Sequence, residues 1–95
     1  MSDERIDEVC RKIADILKKK NADYGDSFAK SIAKWGPTAY FVRDEDKTNR
    51  LVNLLCNKAA IRVDESVADT LLDKAGYAIL MYLTLMEDPN GKPVG

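Results

Sequence analysis

The sequence predicts an all-α fold: a small helical bundle of three long helices and one short one, assembling as an oligomer. Three observations predict it. Apolar residues recur at three- and four-residue spacing along most of the chain. Capping and breaking residues punctuate the pattern at helix-length intervals. No run alternates apolar and polar residues as a half-buried strand would, and no repeat or low-complexity segment is present.

The first helix is expected over Asp3 to Lys20. Ser2 or Asp3 can cap it, acids crowd its first turn, and Lys18, Lys19 and Lys20 crowd its last. Ile6, Val9, Cys10, Ile13, Ile16 and Leu17 form its apolar stripe. Asn21 to Ser27 reads as a break centred on Gly25. A short helix follows over Ser27 to Lys34, capped by Asp26 or Ser27, with Phe28, Ile32 and Trp35 on one side. Gly36-Pro37 stops it, and Pro37 suits the first turn of the next helix. That third helix starts at Thr38 or near Asp44 and is clearest from Asp46 to Asn57, with Leu51, Leu54 and Leu55 toward the core.

Lys58 to Val63 reads either as an extension of that helix or as a packed connection. Asp64 is a good N-cap for a last helix reaching about Glu87. Val67, Leu71, Leu72, Ala75, Ala78, Ile79 and Tyr82 cover much of its circumference, and Met81 and Leu85 extend apolar surface to nearly every side. Such a helix is expected to be buried in a bundle or in a subunit interface. The tail from about 89 to 95 is expected to be flexible.

Composition narrows the functional classes. The 95 residues make one domain with a single small core, 45% hydrophobic and 33% charged. The net charge of −1 offers no basic excess for general nucleic-acid binding. No apolar run has membrane-spanning length, and the N-terminus lacks a signal-peptide pattern. Cys10 and Cys56 read as buried reduced thiols of a cytoplasmic protein. Histidine is absent, which removes His bases, His metal ligands and Ser-His or Cys-His nucleophile systems.

Three constellations can carry chemistry. Glu65, Asp69 and Asp73 follow one another at i,i+4 spacing, within ~80° of each other on a helix. Like charges so placed repel, so a cation over the stripe is expected. As hard oxygen ligands they suit Mg²⁺ or Mn²⁺, whose bound water would attack a phosphoryl group. In that reading Glu65 and Asp69 are catalytic and all three acids hold the metal. In the other, the acids pair with Lys or Arg of neighbouring helices. The stripe continues as Gly76, Leu80 and Leu83, so it is expected to face a cleft.

The second constellation is Lys47, Arg50, Asn53 and Asn57. Arg50 can grip phosphate bidentately, Lys47 can add a point charge, and Asn53 can both donate and accept. The bland alternative is an Asp46–Arg50 surface pair. The third is Asp23-Tyr24-Gly25-Asp26-Ser27-Phe28, where Tyr24, or Trp35 beyond it, can stack on a base beside Asp26. The alternative there is a helix–helix turn with its aromatics in the core.

Three blocks carry a family resemblance: Asp23-Tyr24-Gly25-Asp26-Ser27-Phe28, Asp46-Lys47-Thr48-Asn49-Arg50-Leu51 and the run from Glu65 to Ala78. Their order resembles the phage-associated nucleotide-modification-associated domain family. That family in turn is similar to the MazG-like all-α nucleoside triphosphate pyrophosphohydrolases, which hold Mg²⁺ between helices and release pyrophosphate. The resemblance implies a nucleotide-binding, metal-dependent pyrophosphohydrolase-like protein of phage nucleotide or DNA-modification metabolism, in the host cytoplasm. The alternative is a non-catalytic helical module that binds a nucleotide or a protein and oligomerises. Glu65 and Asp69 are four apart rather than three, and the preceding helix offers Asp44, Glu45 and Asp46 instead of a Glu-x-x-Glu.

Overall fold

A computed structural model describes residues 1–24, 26–57, 63–87 and Lys92, without the side chains of Asp23 and Tyr24. The described residues form four helices and no strand: α1 (Asp3–Tyr24), α2 (Ser27–Trp35), α3 (Thr38–Leu55) and α4 (Glu65–Met86). The connection at 58–62 and all of the expected tail except Lys92 lie outside the described residues.

The helix ends follow local chemistry. Ser2 caps α1, its Oγ accepting from the Arg5 N–H at 3.1 Å. α1 runs through Asn21 to Tyr24, past its expected end at Lys20, because nothing before Gly25 breaks a helix. The expected break is therefore shorter, and the three lysines lie inside the helix rather than in its last turn. Asp26 precedes α2 but makes no side-chain capping bond. Gly36 ends α2 with φ 77°, a left-handed conformation that glycine tolerates, and donates its N–H to Ile32 O. Pro37 starts α3 at φ −58°. The helix closes at Leu55, two residues short of Asn57. Asp64 caps α4 as expected, accepting the Ser66 N–H at 2.9 Å.

α3 and α4 share the most extensive contact. α2 packs on both, and α1 docks chiefly on α4. Phe28, Ile32 and Met81 form the centre, with Ala39, Tyr40, Tyr77 and Leu80 packed around it. Among the described residues Ile13 and Val67 are the other buried hydrophobics, and no side chain is sealed off completely. Gly76 permits the α1–α4 approach: a β-carbon there would lie 3.1 Å from Leu17 Cδ2.

Several sequence expectations are corrected here. Trp35 is 68% exposed and does not join Phe28 and Ile32 in the core, since the helix ends there and the chain turns away at Gly36. Cys10 and Cys56 are exposed free thiols. Cys10 sits beside the α1 stripe rather than at its centre, and Cys56 follows the last residue of α3. α4 leaves Leu71, Ile79, Tyr82 and Leu85 exposed, so the helices of the bundle do not bury them. No helix among the described residues is long and apolar enough to cross a membrane.

Candidate functional site

The acid stripe divides along α4. Glu65 and Asp69 are exposed and make no ion pair among the described residues. Asp73, two turns further on, is half-buried between helices. Its Oδ2 accepts Lys47 Nζ of α3 at 3.2 Å, and its Oδ1 meets Lys20 Nζ of α1 at 3.5 Å. One carboxylate thus ties three helices. Each pair is partly exposed and so contributes only about 0.2–1 kcal/mol. The chemical consequence is larger than the energetic one: two ammonium groups face a single carboxylate, leaving a local excess of positive charge.

A second seam bond locks the register of α3 against α4. Lys74 Nζ donates to Asp44 Oδ1 at 2.7 Å and to Thr48 Oγ1 at 2.8 Å. Asp44, the first member of the acidic run on α3, is thereby engaged with a lysine of α4.

Two cavities lie on either side of the Lys47–Asp73 pair. The smaller, about 520 Å³, is lined by Asp46, Lys47, Asn49, Arg50, Asn53 and Leu54 of α3 and by Ser66 of α4. It gathers Lys47, Arg50 and Asn53 because positions three apart along a helix share a side. The alternative Asp46–Arg50 pair is not made: Arg50 has no ion pair among the described residues.

The larger cavity, about 1260 Å³, is an open groove between α1 and the α2–α4 side. Asp73, Gly76, Leu80 and Leu83 line it, so the second half of the stripe faces a cleft as expected. Asp26 is at its edge. Arg43 of α3 enters it with its guanidinium carbon 5.6 Å from the Phe28 ring centre and 5.8 Å from that of Tyr77. The two rings stack at 6.0 Å. A cation over aromatic faces contributes about 0.5–1 kcal/mol at a partly exposed site.

The residues proposed from sequence therefore fall into separate groups. Lys47, Arg50 and Asn53 share one cavity, Asp73 meets it through Lys47, and Glu65 and Asp69 stand outside both cavities. Trp35 lines neither; Lys34 Nζ lies 5.0 Å from its ring centre. The Tyr24 side chain lies outside the described residues. Lys20, Arg43 and Lys74 were not singled out in the sequence. Only the folded arrangement, which joins α1 to α4 and α3 to α4, reveals their partners.

The acids fit a divalent cation poorly in this arrangement. No three His, Cys, Asp or Glu side chains among the described residues converge in a metal-holding group. Asp73, the best enclosed of the three, is already matched by two lysines, which a cation would have to displace.

The fold and site define a small all-α protein with an open polar depression lined by Lys47, Arg50 and Asp46. Comparison with family models, with curated proteins and with solved structures finds no match to the chain.

Proposed function

We propose that the chain binds a phosphate-bearing small molecule of the nucleotide class, with Arg50 and Lys47 gripping the phosphates and Asn53 contacting the remainder. One observation carries this reading: Lys47, Arg50 and Asn53 line a single cavity of about 520 Å³. The depression is open to solvent, so the grip would come from the charged and amide groups rather than from enclosure. An unpaired guanidinium beside an ammonium favours a phosphate chain, because Arg offers two parallel donors and Lys a point charge. Asn49 on α3 and Ser66 on α4 add neutral hydrogen-bonding groups, and Asp46 adds one carboxylate that can pair with a ligand amine or hydroxyl. The nucleotide class follows from the resemblance of the three sequence blocks.

The test is calorimetric titration at low salt with nucleoside mono-, di- and triphosphates, pyrophosphate and inorganic phosphate. Arg50→Ala should weaken the best ligand about tenfold or more, equal to ~1.4 kcal/mol. Absence of binding by every ligand would sink the reading.

The hydrolytic form expected from the sequence, with Glu65 and Asp69 catalytic, is a separate question, because both acids stand outside the two cavities. Its signature is pyrophosphate release from a triphosphate in the presence of Mg²⁺ or Mn²⁺, abolished by Glu65→Gln. Binding without release assigns the chain to the non-catalytic class.

A further inference from the structure

We propose that the groove between α1 and the α2–α4 side binds an amphipathic carboxylic acid, its carboxylate on Arg43 and its aliphatic chain along α4 toward Leu83. Arg43 is half-buried and reaches into this groove of about 1260 Å³. Its guanidinium carbon lies 5.6 Å from the Phe28 ring centre and 5.8 Å from that of Tyr77, so aromatic rings back it. Among the described residues Arg43 makes no ion pair, and its bond to Ser31 Oγ is a long 3.5 Å. A guanidinium carries five N–H donors in a fixed fork that matches a carboxylate. Held over rings that displace part of its water, with Ser31 as a weak acceptor, it gains most from an oxyanion on the open side.

Charge is segregated along the groove. Leu17 meets Gly76 and Lys20 meets Asp73, so α1 runs antiparallel to α4 here. Lys18 and Lys20 therefore share the Asp73 end with Arg43 and Tyr77, while Ile13 lies toward Leu80 and Leu83. The acid at that cationic end, Asp73, is already divided between Lys20 and Lys47. On the α2 lip, Asp26 and Lys30 stand one turn apart and offset each other. Glu87 lies at the far end, beyond Leu83. One end is cationic, the middle apolar and the far end acidic. That is the complement of a molecule with an anionic head and an apolar tail. It also fixes the direction of binding, because the reverse would set the carboxylate against Glu87.

Length and charge narrow the ligand. Tyr77, Leu80 and Leu83 or Thr84 share a side of α4, and the rise from Tyr77 to Thr84 is about 10 Å at ~1.5 Å per residue. That is comparable with the extended chain of decanoate. A singly charged head suits a single guanidinium over an aromatic floor. A doubly charged phosphate would lose more hydration against the same rings. Arg43 does not line the depression around Lys47 and Arg50, so this site is additional to the nucleotide site proposed above.

Calorimetric titration of the full chain with decanoate, kept below the concentration at which it forms micelles, tests the site. Decanoate should bind one per chain. Decanol and decylammonium should each bind about tenfold or more weaker, because neither offers an anion to Arg43. Arg43→Ala should weaken decanoate by about the same factor while the helical circular-dichroism signal is kept. Leu83→Glu, at a position already 39% exposed, puts a charge in the path of the tail and should also weaken decanoate. Arg50→Ala, which weakens the phosphate ligand, should leave decanoate unchanged. No binding of decanoate, equal binding of decanol, or an unchanged affinity in Arg43→Ala would each overturn the proposal. So would phosphate or nucleoside monophosphate binding that is lost in Arg43→Ala and kept in Arg50→Ala, since the groove would then belong to the phosphate ligand.

Discussion

On the side of α4 turned toward α2 and α3, Met81 packs against Phe28 and Ile32, and Lys74 is held by Asp44 and Thr48. On the side turned away, Leu71, Ala78, Tyr82 and Leu85 are exposed although they are as apolar as anything in the core. The helix is continuous, and both sides carry large apolar residues, so apolarity alone does not separate them. What separates them is whether the chain supplies another helix. Among the described residues α2 and α3 cover one side of α4 and α1 docks at Gly76, and no further helix is described against the rest. Apolar periodicity thus shows which faces of α4 can be buried, not which of them the described helices cover.

The adjacent residues Met81 and Tyr82 break this comparison most sharply. Met81→Ala should cost about 2–4 kcal/mol in urea unfolding, since it opens a cavity in the centre of the core. Tyr82→Ala should cost under ~0.5 kcal/mol at protein concentrations where the chain is monomeric. An equal loss for both in dilute solution would mean that the two sides of α4 do not differ.

Lys74→Ala should cost about 1 kcal/mol, because it strips Asp44 and Thr48 of a shared donor at a partly exposed seam. Thermal melts at low and high salt check this; the loss should shrink as salt screens the pair. Asp73→Asn should change global stability by less than ~1 kcal/mol. It should nevertheless tighten phosphate binding in calorimetry, since Lys47 loses its competing carboxylate. Weaker binding would show that Asp73 orients Lys47 for the ligand instead of competing with it. The smallest effect is expected at Gly76. Gly76→Ala gains helix propensity of about 0.5–1 kcal/mol but presses on Leu17, so the two terms should nearly cancel in the unfolding free energy.

The helical class and most helix boundaries were legible because they are set locally. The Asp64 cap, the Gly36-Pro37 stop and the apolar spacing of α4 each act within a few residues. The same locality explains why α1 overran its expected end: Asn21 and Asp23 are weak helix formers and Ala22 a strong one, and none is a breaker. The site was legible in pieces. Lys47, Arg50 and Asn53 lie on one helix, so their spacing alone brings them together. Asp73 with Lys20, and Arg43 with Tyr77, join residues far apart in sequence, and only the packing of α1 and α3 on α4 determines those pairs. Trp35 was misplaced for a related reason: its periodic position is right for the core, but α2 ends at that residue.

The Lys47–Asp73 pair stands between the two cavities, with Lys47 on the wall of one and Asp73 on the wall of the other. An anion that draws Lys47 into the polar cavity leaves Asp73 to Lys20 alone, and Lys20 is on α1, the helix docked chiefly on α4. Occupancy on the α3 side is thereby linked to how firmly the far helix is held. Thermodynamic reciprocity requires the converse: whatever clamps or frees α1 must change the affinity for the anion by the same factor.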